Sequence, residues 1–270
     1  MDDIRGRWVG RRWVSTCLAG YSPAVPWSET VVLAWRPNLA FFERRSDFLR
    51  ELEKAHTLAA FRWREDSIDI RLGARETLTV TPRGAVFGLV GVSARREVAA
   101  AVAGLTLRLL RPEAVILDQV LVQELVPVDI AYAEARRFSA MRLLRDLMPG
   151  VVYTDWSVLL DGVSSDFGAP FQVEFGVVND DEVPSRLARL AGHMHGPDAV
   201  PDDVWADENL PACALFADWR WLPRRSVGAE DSEAELVSLW DKLVGEAGRI
   251  TLSLSEELVG VREDLEGGVL

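Results

Sequence analysis

Cysteine is nearly missing from this chain of 270 residues: Cys17 and Cys213 are the only two. That excludes the disulfide framework of a small secreted domain and suits a reducing compartment. Whether the two could pair depends on the fold. Lysine is equally scarce. Lys54 and Lys242 are the only examples among 30 basic residues, a bias that a GC-rich genome explains better than recognition chemistry does. Histidine occurs three times. No uninterrupted apolar run reaches the roughly 18 residues of a membrane-spanning helix. The first residues, Met1 to Trp8, lack the apolar core of a signal peptide, and Arg11 and Arg12 interrupt the next stretch. The expectation is a cytoplasmic protein with no membrane partner.

Signature motifs are missing too. Gly84, Gly88 and Gly91 are scattered through a strand pattern without the lysine of a phosphate loop. Ser164 and Ser165 fall in a hairpin-like stretch with nothing of a nucleophile elbow around them. No catalytic constellation emerges, no cofactor is implied, and the balance leans away from an enzyme.

What is present is ample core material, with 49% hydrophobic residues against 27% charged. That is enough for one large domain or two small ones and too much for disorder. The formal net charge of −12 is unevenly spread. Residues 1–150 carry +4 and residues 151–270 carry −16. An acidic second half argues against a nucleic-acid binder, which normally shows a basic footprint, and offers a face for a basic partner.

Along the chain, residues 1–29 form an arm of interleaved arginine and tryptophan. Arg5, Arg7, Trp8, Arg11, Arg12 and Trp13 are candidates for stacking on a partner. A strand is expected at Thr30–Arg36. A helix follows from Phe41 to His56, with Phe48, Leu49, Leu52 and Ala55 as its apolar stripe. Phe61 and Trp63, then Ile68, Ile70 and Leu72, then Leu78 and Val80 alternate with polar residues. That alternation reads as an antiparallel meander with one covered face, completed by Val86–Val90. Ser93 caps a second helix, with Val98, Ala101, Val102, Leu105 and Leu109 at helical spacing.

The same order then begins again. A long strand at Val115–Val126 precedes a helix over 131–148 with Phe138, Met141, Leu144 and Met148 on one side. Strands at Val151–Leu160 and Phe171–Val178 flank a turn running from Asp161-Gly162 to Gly168. An acidic, proline-bearing insertion spans 179–210. A strand at Ala214–Trp221 leads to a last helix, whose capping box at Ser232 and Glu235 precedes Leu236, Leu239, Trp240, Leu243, Val244 and Ala247.

The fold class expected is α+β: two tandem strand–helix–antiparallel meander–helix halves of helix-grip type, with sheets able to join edge to edge into one. The halves span 30–111 and 112–260, with a C-terminal tail at 261–270.

The site candidates are modest. His193, His195 and Asp198 are the nearest approach to a metal site, since two histidines two apart share a face only on extended backbone; a polar loop is the plainer reading. Trp63, Phe87, Trp156 and Phe175 could line a ligand cavity between helix and sheet. Glu174 with Asp155 or Asp161 could pair for acid–base work, although such alternation usually marks a solvated face. Arg62, Arg64, Arg71, Arg75 and Arg83 could line the open side of the first meander and take an anion, or pair with Glu65, Asp66, Asp69 and Glu76.

Three stretches also resemble a sporadically distributed prokaryotic family of uncharacterised proteins of similar length. They are Phe61-Arg62-Trp63 with the meander, the helix at 93–110, and the strand ending Glu124-Leu125-Val126-Pro127-Val128-Asp129. Members of that family end in a long helix with a Leu–x–Leu–His-type stripe, followed by a short threonine-containing segment leading into Glu-Glu-Leu. The corresponding residues are Leu239-Trp240-Asp241-Lys242-Leu243, then Ile250-Thr251 and Ser255-Glu256-Glu257-Leu258. The histidine is absent, and Leu252-Ser253-Leu254 separates the last two pieces. The resemblance implies the duplicated α+β fold and no activity.

The leading functional expectation is a non-enzymatic binding or assembly protein of a bacterial defence or stress system. It would engage a protein partner or a second copy of itself. The alternatives are small-ligand binding or catalysis in a grip cavity, and nucleic-acid binding through the Arg-rich sheet face.

Overall fold

A computed structural model of the chain describes residues 26–56, 58–73, 75–91, 96–144, 156–183, 211–227 and 232–259. Ten strands form one antiparallel sheet. They are β1 (Pro26–Trp35), β2 (Ala60–Trp63), β3 (Ile68–Arg71), β4 (Glu76–Thr81), β5 (Gly84–Val90), β6 (Val115–Pro127), β7 (Ser157–Val163), β8 (Pro170–Asn179), β9 (Cys213–Trp221) and β10 (Arg225–Val227). Their order is β2-β3-β4-β5-β1-β6-β9-β8-β7, with β10 extending the β9 side of β6. The continuous sheet allowed by the sequence is therefore present. β1 and β6 lie at its middle, β5-β4-β3 follow β1 on one side, and β9-β8-β7 follow β6 on the other.

Four helices cover one face: α1 (Ala40–Ala55), α2 (Arg96–Leu110), α3 (Tyr132–Leu144) and α4 (Ser232–Leu258). They lie side by side in the order α1, α2, α4, α3. At 1.5 Å per residue, the 27 residues of α4 span about 40 Å and cross β1, β6, β9 and β10. Its buried Leu236, Leu239, Trp240, Leu243, Val244 and Ala247 form the expected stripe. The helix runs on through Thr251 to Leu258 without a break, so the threonine-containing segment belongs to it. Asn38 ties the start of α1 to the end of α2. Its Oδ1 accepts the Ala40 N–H at 2.9 Å, and its Nδ2 donates to the Leu110 carbonyl at 2.8 Å.

Alternation on β3 and β4 turns Ile68, Ile70, Leu78 and Val80 onto the helices, as period two requires. Elsewhere tertiary context moves the pattern. The first strand starts at Pro26, not Thr30, because Pro26, Ser28 and Glu29 already pair with β6; residues 1–25 lie outside the described residues. On α1, Phe41 joins the buried stripe and Ala55 is exposed. α2 lies between α1 and α4, so Ala99, Ala100, Val102, Ala103, Leu107 and Leu110 are buried and the face read from spacing alone is incomplete. α3 buries Ala135, Ser139 and Ala140 and leaves Met141 in solvent. Asp161 and Gly162 belong to β7, and the turn comes later. There Ser164 Oγ accepts the N–H groups of Asp166 and Phe167. Gly162 faces Phe171, whose ring occupies the space a Cβ would need at 2.5 Å.

Candidate functional site

Two bulges at the centre of the sheet decide which residues lie beneath α4. Val32 pairs with Gln119 but Leu33 pairs with Leu117, leaving Asp118 as an extra residue on β6. The covered face of β6 therefore switches from Val115 and Leu117 to Val120, Val122, Glu124 and Val126. At the other end Trp27 is the extra residue on β1. It joins Val90, Leu125, Val178, Val183, Ala214 and Phe216 in a second, smaller apolar cluster that takes the alternate residues of β8 and β9.

The consequence is a sealed carboxylate pair. Glu29 on β1 and Glu124 on β6 are diagonal neighbours on the covered face, 6% and 1% exposed. Trp240 and Thr251, three helical turns apart on the same stripe of α4, lie over them. The Trp240 indole Nε1 donates to Glu29 Oε2 at 2.7 Å. Thr251 Oγ1 accepts from Trp219 Nε1 at 2.9 Å, lies 2.9 Å from the Ala247 carbonyl and is hydrogen-bonded to Glu124 Oε2. Glu124 Oε1 is buried with no hydrogen-bond partner.

Burial pushes the Glu124 carboxyl up to about 8; the Thr251 hydrogen bond opposes this and the nearby Glu29 reinforces it. Donor counting agrees. With Glu124 neutral, its O–H donates to Thr251, which accepts from Trp219 and still donates to Ala247. The bare Oε1 is then a carbonyl oxygen rather than half of a buried anion, the cheaper group to leave unpaired. An acid raised this way is a common mark of catalysis, but general acid–base work needs contact with a substrate, and α4 closes the pair off. The spacing of Glu124 and Thr251 carries no signal of it, because both positions depend on the bulge and on the helix register.

A third covered group is Cys213, buried and unpaired in a disulfide, with its thiol pushed up to about 11 by burial. That disfavours the reactive thiolate. Cys17 lies outside the described residues.

The sheet ends are built differently. β2 is exposed throughout. Phe61 and Trp63 meet edge to face at 6.4 Å on the helix side, and the Arg45 guanidinium of α1 stands 5.0 Å over the Trp63 ring. On the opposite side Arg62, Arg64 and Arg71, with Asp69, Thr77 and Thr79, line a shallow depression of about 290 Å³. There Arg64 Nε lies 2.8 Å from Asp69 Oδ2, and Thr79 Oγ1 donates to Asp69 Oδ1 at 3.0 Å. The Arg face thus uses Asp69 as a counter-charge, whereas Glu76 is turned inward and buried. At the other end β7 exposes Leu159, Leu160 and Val163, with Asp161 accepting from Gln172 Nε2 at 3.1 Å.

The remaining candidates separate. Trp156 and Phe175 meet edge to face at 6.3 Å inside the core. Phe87 is buried on β5, four strands from β8, which at sheet spacing is about 19 Å away. Trp63 lies on the exposed β2. The four do not line one cavity. Glu174 is paired in register with Asp218 and Leu159, on the side of the sheet away from the helices; Asp161 lies on that same side, and Asp155 lies outside the described residues. His193, His195 and Asp198, and the arm residues Arg5, Arg7, Trp8, Arg11, Arg12 and Trp13, also lie outside them. Among the described residues no group of three or more metal-binding side chains forms, and no helix is long and apolar enough to cross a membrane.

No protein-family model matches the chain, and no curated protein matches it significantly.

Proposed function

We propose that this chain is a non-enzymatic binding or assembly protein of the bacterial cytoplasm, and that it works through the two open edges of its sheet. The observation that carries the reading is the location of its exposed apolar side chains. Among the described residues, five of the nine large exposed hydrophobics are on the two outermost strands: Phe61 and Trp63 on β2, and Leu159, Leu160 and Val163 on β7. Edge strands are normally protected by charge, proline or a covering element, because their free N–H and C=O groups invite another strand. Apolar residues on both edges are what a protein offers when that pairing is used. The succession β5-β4-β3 beside β1 and β9-β8-β7 beside β6 supports a duplicated unit, to which the first side adds β2.

The test is affinity capture of the tagged chain from its native cytoplasm, beside a variant carrying both Trp63→Lys and Leu160→Lys. A bound protein, a second copy included, is expected with the wild type and lost with the variant. Capture that is unaffected by the variant, or no capture at all, overturns the reading.

The Arg62, Arg64 and Arg71 depression supports a second reading, binding of an anion such as a nucleic-acid phosphate. It predicts affinity that falls steeply with salt, and the absence of any gel shift at low salt removes it.

A further inference from the structure

The two edges differ in a way that names their occupant. Resting on the reading of the edges as binding surfaces, we propose that each is the docking site for the other: a second copy of this chain adds its β7 to the β2 edge, giving head-to-tail assembly through one continued sheet.

Three observations lead there. The first is direction. The path from β2 to β7 contains nine strands, each antiparallel to its neighbours, so β2 and β7 point the same way. A copy translated along the sheet, helices on the same side, brings β7 against β2 as a parallel pair.

The second is face matching. On the helix side β2 presents Phe61 and Trp63, and β7 presents Val158 and Leu160. On the other side β2 presents Arg62 and is followed by Arg64, while β7 presents Leu159 and Asp161. One parallel register sets Phe61 beside Val158, Trp63 beside Leu160 and Arg64 beside Asp161. Aromatic with aliphatic and cation with anion are the cross-strand neighbours that stabilise a sheet. Arg64 then shares its charge between Asp69 of its own chain and Asp161 of the next.

The third is charge. Pairing β2 with β2 about a twofold axis sets Arg62 and Arg64 against themselves, and like charges across strands repel. Pairing β7 with β7 brings Asp161 towards its own copy. Pairing β2 with β7 brings Arg64 beside Asp161 instead. The heterologous contact is the one that electrostatics favours, and it leaves one β2 edge and one β7 edge open on every assembly, so further copies add until a ring closes.

Sedimentation velocity of the full chain over rising concentration tests this. The expected result is a series of species whose mass grows with concentration, and whose association weakens severalfold when salt is raised. Trp63→Lys and Leu160→Lys block opposite edges. Each variant alone is expected to be monomeric with a wild-type melting curve, since both positions are exposed. An equimolar mixture is expected to give a 1:1 dimer and nothing larger, because one good β2 edge and one good β7 edge remain.

A wild type that stays monomeric at all concentrations overturns the proposal. So does Trp63→Lys that dimerises with itself, which would reveal β7–β7 pairing. If either lysine variant unfolds, the wild-type concentration series with Phe61→Ser and Leu159→Lys decides in its place. A monomeric wild type that still captures a different protein in an edge-dependent way defeats self-assembly while leaving the edge reading intact.

Discussion

Beneath α4, the middle of the sheet holds two carboxylates, a threonine and two indole N–H groups in the dry interior. At the ends of the same sheet, an aromatic pair and three aliphatic side chains stand in water. Each region reverses what residue type alone would assign. Buried polar groups and exposed apolar clusters are the informative departures from an ordinary protein surface. In the middle, Glu29 Oε2, Glu124 Oε2 and the Trp219 indole each meet a partner on the stripe of α4, whereas Glu124 Oε1 does not. At the ends these side chains remain exposed, even where the Arg45 guanidinium of α1 reaches over the Trp63 ring. The difference comes from position in the sheet: a central strand can hide a polar side chain under a helix, whereas an outermost strand leaves its backbone and half its side chains open.

If the middle is a structural clamp, breaking it is the most damaging change available. Trp219→Ala removes a fully buried ring stacked on Trp221 at 5.4 Å and takes away a hydrogen-bond donor to Thr251. We expect a loss of about 3–5 kcal/mol in denaturant unfolding.

The titration of Glu124 comes next. Its folded value, near 8, lies above its unfolded value of about 4.5. Between those limits the folded state holds a proton that the unfolded state has released. The contribution to stability is therefore complete below pH 4.5 and is lost as pH rises to 8. Glu124→Gln removes this titration. The melting temperature of the wild type should fall relative to Glu124→Gln across that window, by the equivalent of a few kcal/mol; parallel curves would mean that Glu124 ionises normally.

Thr251→Val keeps the shape but strands the Trp219 indole and the Glu124 carboxyl. About 1–3 kcal/mol should be lost, while Thr251→Ser should recover most of it.

The edges should respond least in stability. Trp63→Ala gives up its contact with Arg45 and exposes little, so unfolding should change by less than about 1 kcal/mol. A large destabilisation there would show that β2 belongs to the core and erase the contrast with the middle.

Much of the architecture is legible in the chain. The alternation of Ile68, Ile70, Leu78 and Val80, and the stripe from Leu236 to Ala247, specify their elements and covered faces with no further information, because burial selects residues at the period of the backbone. Phe61 and Trp63 carry the same alternation, yet they are exposed. Alternation reports a face, not whether anything covers it, and only strand order reveals that β2 is outermost. Glu124 shows the complementary limit. Read at period two from Val115 and Leu117, it belongs to the face away from the helices, with Gln123 beneath them, although both are buried in the folded chain. The bulge at Asp118 shifts the phase and exchanges them.

Local periodicity and composition were enough for the α+β class, the succession of the described helices and of every described strand but β10, the apolar stripe of α4 and the asymmetry of charge. Three features emerged only on folding: one sheet runs through both halves, a neutral acid lies sealed beneath α4, and two apolar strands of opposite charge bound the sheet. Those features depend on register and on which strands become neighbours, and both are set by long-range pairing that no local pattern contains.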